Sequence, residues 1–222
     1  MDFDFSPLLE SWQYLLGGLG ITLLLSALTA LASLVLGTAL GLGRVYGPGW
    51  LRVPIVFYID TQRAIPVLVV LVWFYFAVPI LTGINFHPFW AALMALTLHI
   101  AAYVAEIVRA GIESIPKGQI EAGRALNLKG WEIFRFVIIK PALKAIYPAL
   151  TSQFILLMLS SAVVSVISAD DLTSVAANLQ SQTFRSFEIY IVVALIYLAL
   201  ALSFSTLFRL VYRRAFNYPD RR

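Results

Sequence analysis

Four stretches of this chain contain no Asp, Glu, Lys or Arg: residues 11–43, 64–105, 145–169 and 189–208, which are 33, 42, 25 and 20 residues long. A helix needs about 20 apolar residues to cross a hydrocarbon layer ~30 Å thick. A helix in a water-soluble core has no reason to exclude charge for so long. The expected fold is therefore an all-α integral membrane protein. The 42-residue run is too long for one crossing, and "VPILTGINFHPFW" supplies Pro79, Gly83, Asn85 and Pro88 as turn residues. Five transmembrane helices result, at about 15–43, 53–80, 88–111, 142–168 and 188–212, within a single transmembrane domain covering 1–222.

The opening "MDFDFSPLLE" is acidic and lacks the basic start of a cleaved signal peptide, so the first apolar run is read as a retained span. Orientation follows from the basic residues near span ends. With the N-terminus outside and the C-terminus cytoplasmic, Lys and Arg divide 15 to 1, only Arg185 lying outside. The net charge of +4 is thus a topology signal, and nucleic acid is not an expected partner. Trp50, Trp90 and Tyr212, near span ends, read as interface anchors.

The cytoplasmic stretch between the third and fourth spans, about 113–141, is hydrophilic and helix-friendly. Pro116 suits a helix start, and Asn127 and Gly130 suit a break. In "WEIFRFVII", Trp131, Phe134 and Val137 fall on one stripe. Two readings fit the residues alone: an amphipathic loop lying on the headgroups, or a short helix offered to a groove in a soluble partner.

"EAGRALNLKGWEIF", followed by a proline and the fourth span, resembles the coupling loop, or EAA loop, of ABC-importer permease subunits. "AAYVAEIVRAGIESIPKGQIEAGRAL" and "YLLGGLGITLLLS" resemble the polar amino-acid branch of that family. "QRAIPVLVVLVWFYFAVP", with the N-terminal "FDF", is most similar to its glutamate/aspartate permease subunits. The resemblance covers nearly the whole chain. It implies a multi-pass protein of the bacterial inner membrane, with two cytoplasmic ATPase subunits, a second permease subunit (the same chain or a relative), an extracytoplasmic solute-binding protein and an amino-acid substrate. It also implies that the loop docks in a cleft of the ATPase, with Glu121, Ala122, Gly123, Ala125, Leu126 and Asn127 forming the docking piece. Small side chains there let the helix approach its partner closely. Asn127 stands where the family has glycine, and Pro141 is displaced by one residue. Asn tolerates a left-handed backbone, so a tight turn is retained.

The chain carries no chemistry of its own that the sequence reveals. There is no Gly-x4-Gly-Lys-Ser/Thr for ATP, no nucleophile elbow and no His-Glu-x-x-His. It has no cysteine, and its two histidines, His87 and His99, are twelve positions apart. No metal site and no enzyme activity are expected, and the resemblance places ATP and magnesium in the partner subunits. The glycines of "LGTALGLGRVYG" read as helix-packing positions. An ATP-independent secondary transporter or channel is the alternative function. It predicts inverted repeats and acidic residues near the midplane, whereas five spans do not halve and the acidic residues cluster at span ends.

Ionisable residues at membrane depth are costly and call for partners. Asp60 and Arg63, then Glu106, Arg109 and Glu113, are spaced at i, i+3 or i, i+4 and are expected to form ion pairs on shared helix faces, stapling the inner ends of spans two and three. Pro66 is expected to kink span two. Gln62, Arg63, His99, Tyr103, Gln153, Ser160, Ser161 and Ser165 are candidates for the wall of a solute path and its gate. Interhelical hydrogen bonding is the other reading of His99 and the serines. Residues 169–187, polar and able to form a short helix, read equally as a cap on the path, a contact for the binding protein, or a free loop.

Overall fold

The computed structural model describes residues 4–216, so Phe3 of the "FDF" stretch and Arg221 and Arg222 of the charge count lie outside the described residues. Among the described residues every regular element is helical. In chain order these are α1 (Ser6–Glu10), α2 (Trp12–Tyr46), α3 (Gly49–Ala64), α4 (Val67–Thr82), α5 (Pro88–Glu113), α6 (Lys117–Ala125), α7 (Gly130–Ile167), α8 (Leu172–Thr183) and α9 (Ser186–Ala215). The helices α2, α5, α7 and α9 are long and apolar enough to cross a membrane, and α3 with α4 adds a fifth where the bent pair is counted as one span.

Helix α5 is the axis of the bundle. Its Ala91, Ala92, Ala95, Ala101, Ala102 and Ala105 are buried, and so are Leu96, Ile100 and Val104. Helix α2 packs along it through a stripe of small residues: Thr22, Ser26, Thr29, Ser33, Gly37 and Gly41. Within lipid, the hydrophobic effect does not drive helices together, and close approach of small residues takes its place. The seam is tight. A Cβ on Gly37 would lie 2.5 Å from Val104 Cβ and 2.7 Å from the Ala101 carbonyl, and one on Gly41 would lie 2.8 Å from the Ala105 carbonyl. Tyr58 fastens α3 to the same axis, its hydroxyl donating to the Leu98 carbonyl at 2.6 Å.

The 53–80 stretch, expected as one kinked span, is two helices bent by 107° at Ile65–Pro66. Pro66 has no N–H to donate, and its ring forces Ile65 into an extended conformation (φ −100°, ψ 133°). Helix α4 then restarts, with the Val69 and Val70 N–H groups donating to the Pro66 carbonyl. The connection between the third and fourth spans is shorter than the expected 113–141. Helix α5 continues to Glu113, and α7 begins at Gly130 rather than near 142. Pro141 does not interrupt α7, because a π-helical turn at Ile133–Ile138 precedes it and loosens the ladder where the proline lacks a donor. Ile133 and Ile138, five apart in that turn, are buried, while of the expected stripe Phe134 and Val137 are half-buried and Trp131 is exposed.

Residues 169–187 do not form a free loop. Asp171, fully buried, caps α8 by accepting from the Thr173 and Ser174 N–H groups, and Thr22 of α2 accepts from the Leu172 N–H at 3.1 Å. At that end Arg185 reaches both Asp4 and Glu188. The Ser6 hydroxyl and N–H donate to Asp4 and hold its carboxyl below the usual carboxylate range.

The seam makes a direct prediction. Gly37→Leu forces α2 away from α5, costs about 1–3 kcal/mol and lowers the apparent Tm of the purified protein in detergent. Gly17→Ala, where no atom lies within 4 Å of the new Cβ, leaves Tm at or slightly above the parent value.

Candidate functional site

The break between α3 and α4 opens into a cavity of about 480 Å³, walled by Arg63, Ala64, Ile65, Pro66 and Val67 on one side, and by parts of α5 and α7 on the other. From α5 come Leu96, His99, Ile100 and Tyr103, and from α7 come Gln153, Leu156, Leu157 and Ser160. Breaking a helix here leaves the last carbonyls of α3 and the first N–H groups of α4 without intrahelical partners, the former with partial negative and the latter with partial positive charge. Arg63 lies over the Tyr103 ring, 5.7 Å from its centroid. His99 is 5% exposed, its ring 5.3 Å from that of Tyr103, and its Nδ1 has no hydrogen-bond partner. Among the described residues, Arg63 is the only ionised side chain in the lining.

Of the eight residues nominated for a polar path, Arg63, His99, Tyr103, Gln153 and Ser160 meet in this cavity. Gln62 is half-buried beside the break, with its Oε1 unpaired, but does not line the space. Ser161 and Ser165 do not line it either. The end of α7, Ser161–Ile167, tightens to a 3₁₀ helix, so residues four apart no longer share a face. Their hydroxyls donate to the Met158 and Ala162 carbonyls, within their own helix rather than across to another.

Just beyond Tyr103 lies an ion cluster. Glu106 accepts from Arg44 of α2 at 2.9 Å and from Arg109 Nε at 3.1 Å, and Arg63 Nη1 stands 4.0 Å away. Arg109 also pairs with Glu113. The expected Asp60–Arg63 pair is absent among the described residues, because Arg63 turns toward Glu106 and Tyr103. Sequence spacing missed Arg44, whose partner is 62 positions away. A cross-helix pair leaves no i, i+4 trace, and the only signal was that Arg44 ends its span at the same level as Arg63 and Glu106.

Helix α5 leads from the cluster into the segment between α5 and α7. Helix α6 begins after Pro116 and ends in a Schellman turn: Leu128 N–H donates to the Gly123 carbonyl and Asn127 N–H to the Arg124 carbonyl. Asn127 holds the left-handed position at φ 58°. Lys129 N–H then donates to the Glu132 carboxylate at 2.7 Å and starts α7. Gly123 is buried against this chain's own α7, where a Cβ would lie 3.3 Å from Ile133. It therefore serves the fold of the segment rather than close approach by a partner. Glu121, Ala122, Ala125 and Leu126 face outward, with Leu126 76% exposed and nearby Trp131 66% exposed, stacked on Phe134.

Residues 31–217 match the family described as binding-protein-dependent transport system inner membrane component. The chain is 36% identical over 217 residues to the glutamine transport system permease protein GlnP of Escherichia coli (strain K12), covering 96% of this chain and 98% of that protein. Identity, length and shares are the same for the arginine transport system permease protein ArtQ of Bacillus subtilis (strain 168), to the precision given. It is 34% identical over 219 residues to the octopine transport system permease protein OccM of Rhizobium meliloti, covering 95% and 89%. A crystal structure of an amino acid ABC transporter with histidines has a chain 38% identical, with TM-score 0.91, covering 96% of this chain and 100% of that one. Inward-facing MetNI methionine ABC transporter, at 23% identity and TM-score 0.78, shares the fold.

The left-handed turn at Asn127 yields a test. Asn127→Val strains the backbone by about 1–2 kcal/mol and speeds limited proteolysis between α6 and α7, whereas Asn127→Gly is cut at the parental rate.

Proposed function

The chain belongs to the family of binding-protein-dependent transport system inner membrane components, and from that premise we propose that it is the permease subunit of an ATP-driven importer for a polar amino acid. The substrate passes through the cavity at the α3–α4 break. It is acidic or uncharged at its side chain, as glutamate, aspartate and glutamine are.

The observation that carries this reading is the cavity's polar inventory. One guanidinium, one unpaired imidazole nitrogen, a phenol, an amide and a hydroxyl converge on a space the size of a small solute. An α-carboxylate finds Arg63 and the start of α4, and an α-ammonium finds the freed carbonyls ending α3. With one cation and no carboxylate in the wall, a second carboxylate or an amide is accommodated more readily than a second positive charge. Among the named relatives are permease proteins for glutamine, arginine and octopine transport. The charge balance of this cavity favours the first of these and the glutamate/aspartate class over arginine.

The outward face of α6 is the handle. Glu121, Ala122, Ala125 and Leu126, with Trp131 beside them, present a small, partly apolar knob that two cytoplasmic ATPase subunits grip, one per permease. ATP and magnesium bind there, not to this chain. A second permease subunit completes the path, and a solute-binding protein delivers substrate at the opposite end. The loop end and the C-terminus are assigned to the cytoplasm, and the 15 to 1 division of basic residues supports that orientation. Alternating access then follows ATP-driven closure of the two ATPases, with no covalent chemistry in the membrane.

The test uses the whole complex in proteoliposomes, with uptake and ATP hydrolysis followed for L-glutamate, L-aspartate, L-glutamine and L-arginine. Acidic or amide amino acids are transported and L-arginine is not. Arg63→Gln, which removes a charge-assisted bond, raises KM about tenfold or more. Transport of L-arginine, or a parental KM in the variant, contradicts the proposal.

A further inference from the structure

Three guanidiniums meet two carboxylates at the loop end of the cavity: Arg44, Arg63 and Arg109 against Glu106 and Glu113. One positive charge is left over. Its place is set by geometry. Arg109 is bonded to both Glu106 and Glu113, and Arg44 sits 2.9 Å from Glu106. Arg63 holds the longest contact, 4.0 Å to a carboxylate already neutralised by two others. It is also the member of the cluster that lines the cavity, with its guanidinium over Tyr103 and its backbone at the α3–α4 break. Arg63 thus stands between a contested anion on one side and a space that takes an anion on the other.

We propose that Glu106 is a positioning residue for Arg63. It draws the guanidinium toward the cluster while the cavity is empty and yields it to the carboxylate of a bound amino acid. A ligand carboxylate at hydrogen-bond distance outcompetes a shared one at 4.0 Å, because Coulomb attraction falls with separation and rises as water is excluded. The exchange releases the Arg63–Glu106 contact between α3 and α5 about two turns before Glu113, so occupancy of the cavity is felt at the ATPase handle. The inference rests on the reading of the cavity as the amino-acid site.

The experiment measures ATP hydrolysis and uptake by the reconstituted complex of permease, ATPase and binding protein, with L-glutamate and L-glutamine as probes. Glu106→Gln leaves Arg63 uncontested. Hydrolysis without amino acid rises, the ratio of stimulated to unstimulated hydrolysis falls about fivefold or more, and KM falls together with maximal uptake. Glu106→Asp, which keeps the charge, recovers part of the ratio. Arg63→Gln raises unstimulated hydrolysis to the same extent, and the double variant goes no further than either single one. Arg44→Gln, which removes a competitor for Glu106 and leaves the Arg63 contact, does not raise the unstimulated rate. Because Glu106→Gln also strips partners from Arg44 and Arg109, Arg63→Gln carries the test alone if the former does not assemble: a parental unstimulated rate in it overturns the proposal. Additive effects in the double variant, or a parental ratio in Glu106→Gln, overturn it too. If Arg63→Gln impairs uptake while Glu106→Gln changes nothing, the cavity reading stands and the positioning role alone falls. If Arg63→Gln takes up both amino acids as the parent does, both fall.

Discussion

Inside hydrocarbon, every backbone N–H and C=O must find its partner within the protein. The chain meets that demand with continuous helices nearly everywhere, and even the awkward residues are absorbed. Pro54 and Pro148 sit inside helices, and Pro141 follows a π-helical turn instead of ending one. Among the described residues the sharpest break between apolar helices is at Ile65–Pro66, where the helix stops and restarts at 107°. A break at this depth is tolerated only where polar surroundings replace the lost bonds. The location of the cavity, its polar wall and the crowding of charge beside it all follow from that requirement.

The same constraint explains why α5 can link the two ends of the molecule. It is buried on almost every face by small and aliphatic residues, and α2 lies against it through glycines with no room to slide. Close packing of this kind transmits displacement instead of absorbing it. His99 and Tyr103 face the cavity, Glu106 and Arg109 form the ion cluster a turn later, and Glu113 closes the helix before α6. Cavity and cluster are thus successive levels of one helix, which ends three residues before α6 begins.

The helical class and the number of crossings were legible because a run of 20 or more residues without charge is what a hydrocarbon layer demands of a helix and what water does not. The left-handed Asn127 was legible from the turn chemistry of Asn itself. What the sequence hid was of two kinds. Changes of helical period are invisible to a pattern that assumes one period: the π turn put Ile133 and Ile138, five apart, on the buried face, and the 3₁₀ stretch separated Ser161 from Ser165. Contacts between distant segments leave no local trace, so Arg44 went unnoticed and Arg63 was assigned to Asp60. Gly123 was read as facing a partner, yet it faces α7. The N-cap of α8 was the one missed feature with a plain local signal, in the "DLTS" following Asp170.

The central claim is that α6 is a handle on the cytoplasmic side, gripped by an ATPase that this chain does not contain. The protein has no cysteine, so a single Gly118→Cys substitution on α6, where a new side chain meets no neighbour, gives a unique label site. Membrane-impermeant maleimide applied to right-side-out and inside-out vesicles reads its position. Labelling is expected only in inside-out vesicles, with protection from labelling when the ATPase is bound. Labelling from the external face, or indifference to the ATPase, contradicts the claim.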